Sequence, residues 1–563
     1  MKMFGKIVAV AAALTMVAAL PARAQDQEGF TKQIEIEKDY SATIGKAERI
    51  EIEPRLLDTV VQRPTMEYAI KSTAHQSNFS VAALSPVEMS TAQWHRPTDF
   101  YLNAGIGAPL HTDLDFYWTP VQRRHTTLGV YVDHDGRLNR LTNLDEERLS
   151  ALWLHNRAGV GYNTTFANGT KLRADVEYRG NVANPYGGLG VASDVERKLV
   201  LTNDLGADVS VAGGFGKNSK LGYEVALGGG WSAATNFGLA GKAQAEGTDH
   251  TVHYKADAAL VGLNRVKGWW LPHTVGAYFF GTHWLGEWQS SVVVMPEWSA
   301  RVAKHLPIEL GVGYDICISG PKRSFVNGLV GNFEMAWDKD SRWVPYLRAK
   351  AARENDLVRM AMWLNPYGDH LGADMRKVYD ASLGVRGSGR RVNYNARVGL
   401  RHYSDYFYAV AVEGSPLLDY ATALGVSMLA AEAQAEYNIL RHFVLSGSVE
   451  YKHILKNSVA PVALGLRPLD ARLGAEYVWK RWSFGVNGHY AMAAEYECKG
   501  ADGLGKTMSM PAYFDLGVEV EWRVTESLSA WLEGSNLLNQ TIYHLPTYRQ
   551  TGIGALGGVR IVF

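Results

Sequence analysis

From Thr98 onward apolar and polar positions alternate with period two, the signature of half-buried β-strands. Phe100, Leu102, Ala104 and Ile106 share one face against Asp99, Tyr101 and Asn103. Leu128, Val130 and Val132 oppose Thr127, Tyr131 and Asp133, and Leu172, Ala174, Val176 and Tyr178 oppose Arg173, Asp175 and Glu177. The same holds for Val392–Leu400 against Asn393, Asn395 and Arg397, for Ala471–Trp479 against Asp470, Arg472 and Glu476, and for Phe514–Trp522 against Asp515, Glu519 and Glu521. Alternation alone also suits a sandwich. Many of these runs reach about ten residues, however, where soluble strands average about five to six and about nine to eleven tilted residues span a bilayer.

Two further patterns favour the membrane. Trp118, Trp153, Trp231, Trp284, Trp337, Trp343, Trp479, Trp482 and Trp522 fall at run ends, where amphipathic rings form girdles at the headgroup levels. The connections alternate in length. Pro120–Arg124, Ala167-Asn168, Gly214–Ser219, Lys304–Pro307, Lys339–Ser341, Ser388–Arg390, Leu440-Arg441, Lys480-Arg481 and Thr525-Glu526 are short. Between them lie longer stretches: Asp135–Ser150, Asn181–Glu196, Ala233–Thr251, Glu354–Arg376, Tyr403–Ser427, Leu455–Pro468, Glu495–Pro511 and Asn536–Thr551. Short periplasmic turns and long outer loops characterise outer-membrane barrels. The predicted fold is all-β: a large transmembrane antiparallel β-barrel of about 22 strands, the size of transporters whose lumen is filled. Trp284–Arg301 and Arg342–Trp363 are its least regular stretches.

The final run, Gly554 to Phe563, places Val559, Ile561 and Phe563 on one face and Arg560 on the other. It reads as the closing strand, with the first three residues toward lipid and Arg560 toward the lumen.

The N-terminus predicts a secretory signal peptide over residues 1–24. Lys2 and Lys6 precede an apolar run from Ile7 to Leu20, then Ala22-Arg23-Ala24, so cleavage is expected between Ala24 and Gln25. That run is too short for a spanning helix, and no later stretch reaches the roughly twenty apolar residues one needs. Residues 25–97 contain Pro54, Pro64 and Pro86 among mixed charges. They read as an extended periplasmic or lumenal segment with one or two short strands, or as a disordered tail.

Composition narrows function mainly by exclusion. The chain carries 57 basic and 57 acidic residues, so no broad attraction to nucleic acid is implied. The two cysteines, Cys317 and Cys498, are read as unrelated thiols rather than a pair. The 17 histidines show no metal-ligand spacing, no ordered catalytic motif is present, and no cofactor is implied, so the chain is not read as an enzyme. Asp133-His134-Asp135-Gly136 has oxygen ligands suited to calcium, but reads better as a strand exit with turn residues. Asn365–His370 reads the same way. Arg173, Asp175, Glu177, Arg397, Arg472, Glu476, Glu519 and Glu521 are candidate lumen-lining residues, either along a solute path or simply as the polar wall a wet lumen needs.

Gly534-Ser535-Asn536-Leu537-Leu538-Asn539, followed by Tyr543, Pro546 and Tyr548, resembles the stretch before the last strand of TonB-dependent receptors. Asn536, Leu537, Asn539 and Tyr543 match that pattern, whereas Leu538 stands where Phe is usual. The resemblance covers residues 98–563 by architecture and about 526–563 by motif. It implies an outer-membrane transport protein that passes or gates a solute. Implied partners are outer-membrane lipid, the barrel assembly machinery, and TonB or a plug or lid protein. Residues 25–97 are too short for the conventional plug domain of these receptors and lack its Gly-rich motif; Gln33–Glu37 is the only candidate TonB-contacting strand. The other functional reading is a structural or assembly barrel that docks a partner protein.

Overall fold

The computed structural model describes residues 99–563, apart from 194, 217–219, 236–247, 268–269, 285–286, 320–323, 355–375, 441, 457–462 and 501–503. The signal peptide, the segment 25–97, the Gln33–Glu37 strand and the Asn365–His370 loop lie outside the described residues.

In chain order the strands are β1 (Phe100–Ala108), β2 (His111–Arg123), β3 (Thr126–Thr142), β4 (Arg148–Thr165), β5 (Lys171–Ala183), β6 (Val200–Gly214), β7 (Gly222–Thr235), β8 (Thr248–Val261) and β9 (Thr274–Trp284). There follow β10 (Glu287–Ala303), β11 (Leu306–Ser319), β12 (Ser324–Ala336), β13 (Val344–Glu354), β14 (Arg376–Ser388), β15 (Val392–Val412), β16 (Leu418–Leu440), β17 (Phe443–Lys456), β18 (Leu469–Trp479) and β19 (Trp482–Ala491). The last are β20 (Ala494–Lys499), β21 (Gly505–Met510), β22 (Tyr513–Arg523), β23 (Leu528–Ser535), β24 (Tyr543–Leu545), β25 (Tyr548–Arg549) and β26 (Gly554–Val562). One short helix, α1 (Leu263–Lys267), lies in the connection from β8 to β9.

Each strand from β1 to β19 pairs antiparallel with the next, β19 pairs with β22, β22 with β23, and β23 with β26. β26 then pairs with β1 from Tyr101↔Val562 to Ala108↔Ala555, closing a 22-strand antiparallel barrel. Closure leaves no unpaired edge, which a barrel in lipid requires. Around the closing bond, the Phe563 amide donates to the Phe100 carbonyl at 3.0 Å and its carbonyl accepts from the Asp99 amide at 2.9 Å.

One end of the barrel, the turn end, carries the start of β1, the finish of β26 and the tight turns at 124–125, 304–305, 389–391 and 480–481. The opposite, loop end carries the long connections. Two expected loops prove shorter. β3 runs to Thr142 and β4 begins at Arg148, so only 143–147 are outside the ladder. β15 and β16 continue as a hairpin to Val412 and Leu418. At 21 and 23 residues these two strands are about 70 Å long. Even strongly tilted, they stand well clear of an apolar band about 25 Å tall.

The two faces of the wall differ in chemistry. Val176, Leu205, Leu227, Val398, Leu473 and Leu532 are exposed on one face. The other face joins side chains across an intervening strand: Tyr131 on β3 to Glu177 on β5, Arg386 on β14 to Glu334 on β12 at 2.8 Å, and Tyr346 on β13 to Asn395 on β15 at 2.8 Å. Strands two apart are about 9.6 Å distant, and side chains converge to that reach only on the concave side of a curved sheet. The polar face is therefore the inner one and the apolar face the outer one.

Trp118, Trp337, Trp343, Trp479, Trp482 and Trp522 are exposed toward the turn end, and Trp231 toward the loop end. Trp153 departs from the girdle expectation. It packs against a buried cluster at the loop end, stacks on His155 at 5.8 Å and carries the Arg137 guanidinium over its ring. The side chain of Trp284 lies outside the described ones.

Candidate functional site: the capped mouth of the barrel

At the loop end, elements from distant strands meet in one buried cluster. Leu141, Ala151 and Ala183 come from the ends of β3, β4 and β5, and Tyr186 from the connection 184–199. Ala411 and Leu418 come from the β15–β16 hairpin, and Ala494, Tyr496, Cys498 and Met510 from the β20–β21 hairpin. Tyr548 on β25 is 0% exposed and completes the cluster. In a ring of 22 staves, β4 and β15 stand eleven apart, half the circumference. Residues from opposite walls can share one core only if the loops between them cross the mouth.

Backbone and side-chain bonds fix this crossing. The Tyr186 hydroxyl donates to the Arg549 carbonyl at 2.7 Å, and the Gly188 amide donates to Thr547 Oγ1 at 3.1 Å. Leu189 bridges Glu413, the Gly414 amide donates to the Leu189 carbonyl at 2.8 Å, and the Gly190 amide donates to Asp145 Oδ1 at 2.8 Å. The Tyr548 hydroxyl donates to the Pro416 carbonyl, and its ring meets Tyr186 edge-on with centroids 5.2 Å apart. Gly187 is required by this packing, because a Cβ there would lie 2.6 Å from the Tyr548 ring. β20 adds to β15 as a short parallel strand, Ala411↔Cys498 and Val412↔Lys499, and Lys499 pairs with Asp419 at 2.7 Å. Arg467 ties three further carbonyls, those of Met492, Pro511 and Tyr543, and its guanidinium lies 4.9 Å over the Tyr513 ring. Burial pushes the Tyr496 hydroxyl up to about 12 and raises the Cys498 thiol. Cys317 and Cys498 are both free and buried, two separate thiols.

The motif before the closing strand builds the base of this cap. Asn536 and Asn539 adopt left-handed backbone angles, φ 45 and 49, which asparagine tolerates better than most residues. Asn536 Oδ1 accepts from the Gln540 amide at 2.9 Å, and its Nδ2 donates to the carbonyls of Gln540 at 2.9 Å and Thr551 at 3.3 Å. Asn539 Oδ1 accepts from the Ile553 amide at 3.2 Å. Leu537 donates its amide to the Leu516 carbonyl, and Tyr543 opens β24 and packs on the cap cluster. The two asparagines thus close the connection between β23 and β26 on itself.

The charged candidates lie on the polar face and are largely paired there. Arg173 pairs with Asp175 at 2.6 Å, and Glu177 holds Arg157, Arg179 and Tyr131. Arg397 donates Nε to Glu432 at 2.7 Å, Arg472 lies 3.4 Å from Asp470, and Glu476 accepts from Ser483 at 3.3 Å. Glu521 pairs with Arg560, and Glu519 lies two positions from it on β22. Val559 and Phe563 are exposed on the opposite face, with Ile561 between them.

Asp133–Gly136 is not a strand exit. It lies within β3, where Asp135 pairs with His111 and Arg137, each at 3.0 Å, and His134 bonds Thr112 and Asn156. Its turn-forming residue types misled because Asp133 and Asp135 are on the polar face of a long strand and His134 and Gly136 are on the opposite face, bonded across to the neighbouring strands. Among the described residues no group of three or more His, Cys, Asp or Glu side chains is placed to hold a metal ion. Tyr186, Tyr496 and Arg467 carried no sequence signal, since their partners are remote.

A closed barrel with an apolar outer face, a charged interior and a mouth crossed by its own loops has the build of a large outer-membrane β-barrel. The solved structures agree. The barrel superposes on the FrpB iron transporter from Neisseria meningitidis with TM-score 0.63, 11% identity, and 83% of each chain covered. It superposes on the siderophore receptor PirA from Acinetobacter baumannii with TM-score 0.63 at 10% identity, covering 82% of this chain and 80% of that one. The ferripyoverdine receptor of the outer membrane of Pseudomonas aeruginosa gives TM-score 0.61 at 11% identity, covering 84% and 72%. No protein-family model and no curated relative matches the sequence. At these identities the likeness shows the fold.

Proposed function

We propose that this chain is an outer-membrane, receptor-type transport protein that gates passage of a solute at its outer mouth. The observation that carries the reading is the cap: loops from opposite walls share a core over the lumen, so the loop end is not an open pore. The fold shared with solved receptors supports the same reading, in which the short-turn end is periplasmic and the loop end faces outward. In this reading the charged inner wall, including Arg173, Arg397, Glu519 and Glu521, lines the path. Residues 25–97 serve as a periplasmic or lumenal segment that helps close the barrel from below, and TonB is the candidate energy-coupling partner.

Proteoliposome swelling tests this. Liposomes carrying the chain without residues 25–97 should still swell slowly in small sugars because the cap remains, and adding Tyr186→Ala/Tyr548→Ala to that chain should make them swell severalfold faster. Equal swelling, with a co-purifying protein lost on deletion, would instead establish a structural barrel that docks a partner.

A further inference from the structure

At the turn end, far from the cap, a cavity of about 410 Å³ opens between the β2–β3 and β4–β5 turns. Its cationic lining is Arg123, Arg124, His125, Lys171 and Arg173, and no carboxylate lines it. This composition stands out in a chain with equal numbers of acidic and basic residues, whose inner wall carries ion pairs such as Arg397–Glu432, Arg401–Asp380 and Arg560–Glu521. Arg173 has Asp175, and the nearby Asp208 is held by Lys255 at 2.7 Å. Among the described residues Arg123, Arg124 and Lys171 form no salt bridge. Thr127, Thr165 and Ser210 add hydroxyls, and Asn163 adds an amide.

The turn chemistry explains why the charges gather. The Arg124-His125 turn and the start of β5 at Lys171 lie side by side because β3 pairs with β4 through Thr126↔Thr164, and β4 with β5 through Thr165↔Lys171. Uncompensated guanidinium and ammonium groups around one concavity raise its potential and favour an anion. Arginine forks bind phosphate oxygens two at a time, and the hydroxyls supply further donors. We propose that this cavity is a phosphate-binding site at the periplasmic rim of the barrel. Its ligand is the phosphate of a soluble compound on the periplasmic side, because Asn163, Lys171, Arg173 and Ser210 stand on the inner face of the wall with Glu177, turned away from the bilayer.

The test uses the full chain in detergent and the variant Arg124→Ala/Lys171→Ala, with an Arg390→Ala/Arg391→Ala variant at another turn as a charge-matched control. Native mass spectrometry counts retained phosphatidylglycerol against phosphatidylcholine, and calorimetry titrates inorganic pyrophosphate. The wild type and the control should bind pyrophosphate without retaining phosphatidylglycerol preferentially, and the double variant should lose the pyrophosphate binding by roughly tenfold with its heat-modifiable migration unchanged. Retention of phosphatidylglycerol without pyrophosphate binding would place the anion on the outer side of the wall and overturn the proposal. The proposal is overturned if neither probe binds, if the double variant binds like the wild type, or if binding appears only after residues 25–97 are deleted, which would mean the chain's own acidic segment fills the cavity.

Discussion

The indole of Trp531 on β23 reaches Gly105 on β1 across the whole width of β26. The register explains the contact: Trp531 lies opposite Gly558, and Gly558 opposite Gly105, so the ring rests on two glycines along one line through the closing strand. A Cβ on Gly105 would stand 2.7 Å from Trp531 Cη2 and otherwise has room, whereas one on Gly558 would strike the Ala104 carbonyl as well as the ring. Gly105→Ala should therefore destabilise the barrel by about 1–3 kcal/mol, and Trp531→Leu should restore most of that loss. Gly558→Ala should not be rescued by the same change. Thermal shift of the heat-modifiable band measures the three single and two double variants. Equal penalties for Gly105→Ala with and without the indole would show that the ring does not staple the seam.

Asn536 satisfies three backbone groups while holding a left-handed angle. Asn536→Ala leaves buried amide and carbonyl groups unmet and should cost roughly 2–4 kcal/mol. Asn536→Gly, free of the angular strain, should cost less. Equilibrium unfolding in detergent compares them, and an order reversed from this one would contradict the role assigned to the backbone angle.

Cys498 reports on the cap. It is buried in the same cluster as Tyr548, and its raised thiol pKa further slows thiolate chemistry. In a Cys317→Ser background, maleimide should label Cys498 slowly in otherwise native protein, and at least tenfold faster once Tyr548→Ala removes the ring that fills the cap.

In the turn 337–343, Arg342 holds the Asp340 carboxyl down to about 2, chiefly through side-chain hydrogen bonds. A depressed folded value contributes stability above the unfolded value near 3.8, lost as pH falls through about 2. Both groups are fully exposed, so the pair has little bearing on the fold. Carbon-detected NMR should place the Asp340 midpoint near 2 and return it toward 3.8 in Arg342→Ala.

The barrel wall was legible because every stave is read twice by its surroundings. Lipid selects Val398 and Leu473 on one face, and a wet interior selects Arg397 and Arg472 on the other. The closing strand and the asparagines before it were legible for the same local reason. The cap was not, because its contacts are remote: the Tyr186 hydroxyl and the Arg549 carbonyl are separated by 363 positions. The place of Trp153 near a strand end suggests a girdle, yet it faces inward onto the cap. Tyr403–Ser427 has the sequence pattern of a loop although it is a hairpin, because its polar and aromatic residues no longer alternate once both faces leave the lipid.

Single-channel conductance in a planar bilayer tests the central claim most directly. The full chain should give small, infrequent openings, and Tyr186→Ala/Tyr548→Ala, which removes the two rings joining the 184–199 connection to the β24–β25 hairpin, should give large and sustained ones, since truncating a buried aromatic costs about 3–5 kcal/mol per site. Identical conductance in the two proteins, with Cys498 labelling showing that the cap has loosened, would contradict a gate at the outer mouth.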